Sequence, residues 1–234
     1  ENTPILMDGT LFLCSPFNRV IALDPATGKE RWTFDPAVER DRNLSNQFVC
    51  RGVSFWKDST AAEAATCASR IFMATTDARL ISLDAKTGKR CSGFANGKDV
   101  DLSSGVGESH WRGEYSHTSP PAIIGNLVIV GGSIGDNARM DGPSGVVRAY
   151  DARSGEKVWA WDLAPPNFVA KPEQLTDEGY TRGTPNVWAP MSVDAQRDLI
   201  FVPTGNPSPD YFRPGEVPLD YYGSAVVALR GSTG

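Results

Sequence analysis

An all-β fold assembled from repeated four-stranded sheets is what this sequence predicts, and three observations predict it. One phrase recurs: "ALDPATGKERWTF" ends at Phe34, "SLDAKTGKRCSGF" at Phe94 and "AYDARSGEKVWAW" at Trp161, and "VALRGSTG" begins a fourth copy up to Gly234. Its glycines Gly28, Gly88, Gly155 and Gly234 stand 60, 67 and 79 residues apart, a spacing too long for a hairpin and right for a repeated sheet. The runs between them are short and β-branched, with no stretch of the long amphipathic period that a crossover helix needs.

Taken in order, each copy reads as four strands, A to D. Strand B is "TLFLCS", "RIFMATT", "LVIVGG" and "LIFVPTG" in the four units. "VCRGVSFW", "HTSPPAIIG" and "NVWAPMSVD" supply strand A of the later three. Strand C runs into the D-x-x-[ST]-G turn, and strand D leaves it. The aspartate can accept hydrogen bonds from the backbone that follows, and glycine accepts the positive φ that closes the turn. After the turn, Trp32 and Phe34 share one face of strand D, as do Trp159 and Trp161, whereas the second unit has Ser92 in the tryptophan position and keeps only Phe94.

Sheets that must bury such aromatics against a neighbour make a β-propeller. The units fall at roughly 1–35, 46–95, 117–162 and 186–234 of one partial domain. About four blades are expected, the last without strand D: half of a larger propeller, with a closed four-bladed ring as the rarer alternative. Open flanks would expose sheet faces, so self-association through them is a further expectation. The long segments 36–45, 96–116, 134–145, 163–186 and 206–222 all fall at the B–C and D–A end, with the 57–69 insertion as the exception. One end of the scaffold is therefore elaborated, and that is where a site is expected.

Composition narrows the partners. Net charge is −5 with no basic stripe, which argues against nucleic acid. No run reaches the length of a membrane span, and "ENTPILMDGT" lacks a signal peptide's basic start. With two histidines and no C-x-x-C, a zinc site is not expected. Cys50 and Cys67 could close a loop in an oxidising compartment, or all four cysteines could be small buried residues.

With these strings in view, the chain resembles the eight-bladed quinoprotein dehydrogenases that bind pyrroloquinoline quinone (PQQ), especially the membrane-bound glucose/quinate/shikimate group. "CRGVSFW", "HTSPPAIIGNLVIVGGSIGDN", "SGVVRAYDARSGE" and "NVWAPMSVDAQRDLIFVPTGNPSPD" carry the likeness. The resemblance implies that Arg51 meets the polar edge of PQQ, that Thr118 and Ser133 give hydroxyl contacts, and that Trp188 is the flat floor beneath it. Guanidinium pairing with carboxylates and an indole wall under a planar ring are the chemistry such positions need. It implies metal ligands at Asp136 and Asn206, with Asn137 as their partner, for calcium or magnesium.

The implied parent protein oxidises a small-molecule alcohol, sugar or cyclic polyol and passes electrons to ubiquinone. It is periplasmic and held at the inner membrane by a segment not present in this chain. Trp56 stands where glucose-oxidising members are expected to carry histidine. No Asp or Glu matches the family's catalytic base, so no catalytic residue is assigned and the chain alone is expected to be inactive. Two other readings compete: a non-enzymatic periplasmic scaffold propeller for protein partners, and a type I alcohol dehydrogenase, against which Cys50 standing without an adjacent cysteine argues.

Overall fold

The computed structural model describes residues 2–40, 43–44, 47–211 and 218–234; the rest of the 36–45 and 206–222 connections lies outside the described residues. Four antiparallel sheets follow one another along the chain. The first is β1 (Ile5–Met7), β2 (Thr10–Cys14), β3 (Val20–Leu23) and β4 (Glu30–Phe34), paired in that order. The second is β5 (Ser54–Lys57), β6 (Ser69–Ala74), β7 (Arg79–Asp84) and β8 (Val100–Asp101). A two-stranded ribbon joins β9 (Tyr115–Ser116) to β12 (Ser133–Ile134), bracketing the start of the third sheet. That sheet is β10 (Ala122–Ile124), β11 (Leu127–Val130), β13 (Val147–Asp151) and β14 (Lys157–Trp161). The fourth is β15 (Ser192–Asp194), β16 (Leu199–Pro203) and β17 (Val226–Arg230).

Three cores lie between the four sheets, because the inner strands bury both faces. Alternation along β6 divides them: Ile71 and Met73 pack with Phe12, Val20 and Trp32 of the first sheet, while Phe72 and Ala74 pack with Val128 and Tyr150 of the third. Ile129 and Val147 then turn towards Ile200 and Val202 of the fourth. Each unit thus relies on its neighbours, which is how a propeller is stabilised.

The recurrent turn does what its residues dictate. Asp24 Oδ1 accepts from the backbone N–H groups of Ala26 (3.1 Å) and Thr27 (2.9 Å), and Asp84 and Asp151 repeat the pattern. The glycines sit at φ 71°, 69°, 78° and 83° in the four turns. The glycines of the last three turns also receive the aromatic of the preceding unit. A Cβ on Gly88 would lie 2.6 Å from the Trp32 ring, and one on Gly234 would lie 2.9 Å from Trp159. Trp32 Nε1 donates to the Ala85 carbonyl at 3.1 Å, and Trp159 Nε1 to that of Gly231 at 3.0 Å. Burying each indole contributes about 2–3 kcal/mol.

The second unit departs from the expected pattern. Its fourth strand is β8, not the stretch through Cys91 and Phe94, because the chain turns there, the Phe94 N–H donating to the Cys91 carbonyl at 3.0 Å, and runs on into a 3-10 turn at Ala95–Gly97. Phe94 still takes the docking place, with its ring 3.2 Å from where a Cβ on Gly155 would stand. The Cys50–Cys67 pairing is also corrected: the bridges are Cys14–Cys50 and Cys67–Cys91, with Cα separations of 6.0 and 5.9 Å. The reason is topological. Strand β5 runs between Cys50 and Cys67 and carries them to opposite ends of the unit, where each meets a different neighbour. Trp188, expected to begin strand A of the fourth unit, lies in the connection ahead of β15.

Candidate functional site

The residues singled out in the sequence come from three different units and meet at the elaborated end. Arg51 enters from the connection before β5, and its backbone N–H donates to the Thr118 carbonyl at 2.9 Å. Its Nη1 donates to Thr118 Oγ1 at 2.5 Å, and its guanidinium lies 5.2 Å from the centre of a Trp188 ring. Thr118 Oγ1 and Ser119 Oγ both donate to the Trp188 carbonyl, at 3.3 and 2.6 Å. Three chain segments are thereby tied into one wall: a cation, a hydroxyl and an indole that is 45% exposed to the cleft. Ser133 is buried on β12, and that strand delivers Asp136 and Asn137.

Arg51, Thr118, Ser133, Asp136, Asn137 and Trp188 line one cleft of about 590 Å³. Asn206 does not line it. It borders an adjoining depression of about 510 Å³ that shares Asp136, Trp188 and Asp210 with the cleft. Asp210, four residues beyond Asn206 in "TGNPSPD", therefore joins the site on both sides; its place in that string was the available signal, and the sequence reading missed it. Its carboxylate accepts from Asn206 Nδ2, and its backbone N–H donates to the Asp136 carbonyl at 2.9 Å.

The corner where Asp136 meets Asp210 is acidic and partly buried. Burial pushes the Asp136 carboxyl above its ordinary range; a hydrogen bond from Asn186 opposes the shift, and the Asp210 charge adds to it. Two carboxylates share the corner with the amide oxygens of Asn137 and Asn206, a hard oxygen set of the kind calcium and magnesium prefer. Among the described residues, no three His, Cys, Asp or Glu side chains cluster as a metal site, so the amides must complete any ligand set. Asn206 Oδ1 accepts from Ser224 Oγ at 2.7 Å, and Asn137 Oδ1 from the Tyr211 backbone at 2.9 Å, which orients both oxygens.

A buried ion pair anchors the loop that carries Asp136. Glu114 is fully buried and accepts from Arg139 Nε at 2.7 Å, Arg139 Nη2 at 3.2 Å and the His110 backbone at 2.6 Å. The Gly135 backbone N–H completes the clamp by donating to the Glu114 carbonyl at 2.8 Å.

Trp56 is placed elsewhere. It is buried at the far end of β5, its Nε1 donates to the Gly125 carbonyl at 3.1 Å, and the Arg70 and Arg153 guanidiniums pack on its rings. It packs between units and does not touch the cleft.

The PQQ-binding "glucose/ethanol/alcohol dehydrogenase, beta-propeller domain" family matches residues 1–234. The glycerol dehydrogenase large subunit of Gluconobacter oxydans is 42% identical over 235 residues, covering 100% of this chain and 31% of that protein. The quinate/shikimate dehydrogenase (quinone) of Acinetobacter baylyi is 36% identical over 253 residues, covering 100% of this chain and 30% of its own length. The crystal structure of the quinohemoprotein alcohol dehydrogenase from Comamonas testosteroni superposes with a TM-score of 0.74 at 26% identity, over 100% of this chain and 33% of that one. The chain thus spans about a third of the length of the relatives it matches.

Proposed function

Since the chain belongs to the PQQ-binding glucose/ethanol/alcohol dehydrogenase β-propeller family, we propose that its cleft is the cofactor and cation side of a dehydrogenase active site. The substrate is a small alcohol, sugar or polyol, and a membrane quinone such as ubiquinone takes the electrons. The activities named for the two relatives above, on glycerol and on quinate or shikimate, support that substrate class. The single observation that carries the reading is the convergence of Arg51, Thr118 and Trp188 with Asp136 and Asp210 on one cleft, which a scaffold propeller does not require.

When bound, PQQ would supply a two-electron acceptor, and the divalent cation a Lewis acid beside it. This chain's own residues would bind and orient. Arg51, held by Thr118, offers its guanidinium to the carboxylates of the cofactor. Ser133 adds a hydroxyl within the same cleft, and Trp188 gives the planar ring an apolar wall that excludes water from one face. Asp136, Asn137 and Asn206 hold the cation, with Asp210 orienting the Asn206 amide.

We place the protein in the periplasm at the inner membrane, and the two disulfides support an oxidising compartment. The test is a titration of PQQ and calcium into the protein, followed by tryptophan fluorescence. Saturable quenching that is lost in Trp188→Ala is the expected result. Quenching that persists unchanged in that variant would refute the assignment of the wall.

A further inference from the structure

Asn186 lies two residues before Trp188 and is 1% exposed. Its backbone carbonyl accepts from the Gly205 N–H at 2.8 Å, and the N–H of its neighbour Val187 donates to the Gly132 carbonyl at 3.1 Å. The segment is therefore pinned on one flank to the connection that carries Asp136 and on the other to the one that carries Asn206. Within that joint, Asn186 Nδ2 donates to Asp136 Oδ2 at 2.9 Å.

The other half of the amide does nothing for the fold. Asn186 Oδ1 is buried and, among the described residues, has no hydrogen-bond partner. It faces Gly205, where an added Cβ would stand 3.1 Å away, so the glycine before Asn206 leaves room for it. An amide buried with its oxygen idle costs the fold a hydrogen bond, and an apolar residue of the same bulk would avoid that cost. What the asparagine supplies and an apolar residue would not is the N–H aimed at Asp136. With Oδ2 so engaged, Asp136 Oδ1 accepts from the Asn137 amide at a long 3.4 Å.

We infer that Asn186 is the positioning residue of the cation site: its amide clamps Asp136 Oδ2 and leaves Oδ1 as the oxygen presented to the metal. The inference rests on the cation reading proposed above. Residues that orient a metal ligand in this way typically contribute 10–100-fold to affinity.

Terbium(III) is the probe, titrated into the full-length protein without PQQ. Its luminescence decay in H2O and in D2O counts the water molecules bound to the ion. Asn186→Leu keeps the bulk and removes the donor, and the smaller Asn186→Ser is measured in parallel, with circular dichroism reporting the fold. Terbium affinity is expected to fall about tenfold or more, with one additional bound water as Asp136 releases the ion. Unchanged affinity and water count in a folded Asn186 variant, with binding lost in Asp136→Asn, would overturn the inference while leaving the cation site intact. Unchanged binding in Asp136→Asn would overturn the cation reading itself, and the inference with it.

Discussion

Acid should destabilise this protein through one histidine. His117 is 1% exposed, edge-on to Tyr115 at 5.2 Å between ring centres. Its Nδ1 lies 3.0 Å from the Gly131 carbonyl, which can only accept, so Nδ1 carries the proton and the lone pair is on Nε2. That Nε2 is buried without a hydrogen-bond partner among the described residues. Burial holds the imidazole neutral down to about pH 3; the Gly131 hydrogen bond opposes the shift, and the Arg148 charge adds to it. The unfolded chain protonates the same residue near its ordinary value of about 6.5. Because the folded value is the lower one, the unfolded state binds more protons throughout the interval between them. Stability is therefore lost as pH falls from about 6.5 towards about 3, by roughly 1.4 kcal/mol per unit once well inside that window.

Between about pH 7 and about pH 4.5 the loss from this residue comes to about 2.5 kcal/mol. Urea unfolding at the two pH values measures it. His117→Asn offers an amide N–H to Gly131 and cannot charge, so comparing the two proteins removes the contribution of the carboxylates, which titrate in both. The variant should lose about 2.5 kcal/mol less than the parent over the same interval. Equal losses in the two proteins would refute the reasoning.

Two further outcomes follow from buried contacts. Arg139→Met leaves the Glu114 carboxylate buried without its partner and should cost about 3–5 kcal/mol in urea unfolding. Adding Glu114→Gln should recover at least about 1 kcal/mol of that, measured as a double-mutant cycle. The Cys67–Cys91 and Cys14–Cys50 bridges span 24 and 36 residues, so replacing each pair by serine should lower stability by roughly 3.5 and 3.8 kcal/mol; mass spectrometry without reductant confirms the pairings, and a Cys50–Cys67 linkage would contradict them.

The repeat made the fold legible because its turn chemistry is local. An aspartate capping its own backbone and a glycine at positive φ leave a mark within five residues, so the turns at Asp24, Asp84 and Asp151 could be read from the sequence. The docking of Trp32 and Trp159 was legible for the same reason, since strand alternation follows from spacing. The misplaced elements depend on distant partners. Whether Cys50 meets Cys14 or Cys67 depends on which end of a unit each occupies, and the fourth strand of the second unit moved because the chain turns between Cys91 and Phe94. Trp56 drew attention by its place in a motif, while its burial between two units could be seen only in three dimensions. Among the site residues, Arg51, Thr118, Ser133, Asp136 and Trp188 stood in recognisable strings. Asn186 and Asp210 stand in the same strings without being legible, because an amide or carboxylate that acts on a neighbouring side chain has no signature of its own.

The docking glycines have a mechanical consequence at the opposite end of the molecule. The gap between successive units is set at the turn end, where a ring closes on a residue with no side chain, while the cleft is assembled at the other end from connections entering the second, third and fourth units. The contact between Phe94 and Gly155 is thus a fulcrum. A methyl group wedged there would tilt the third unit against the second, and the small rotation would be magnified across the length of the strands into a separation of Arg51 from Thr118.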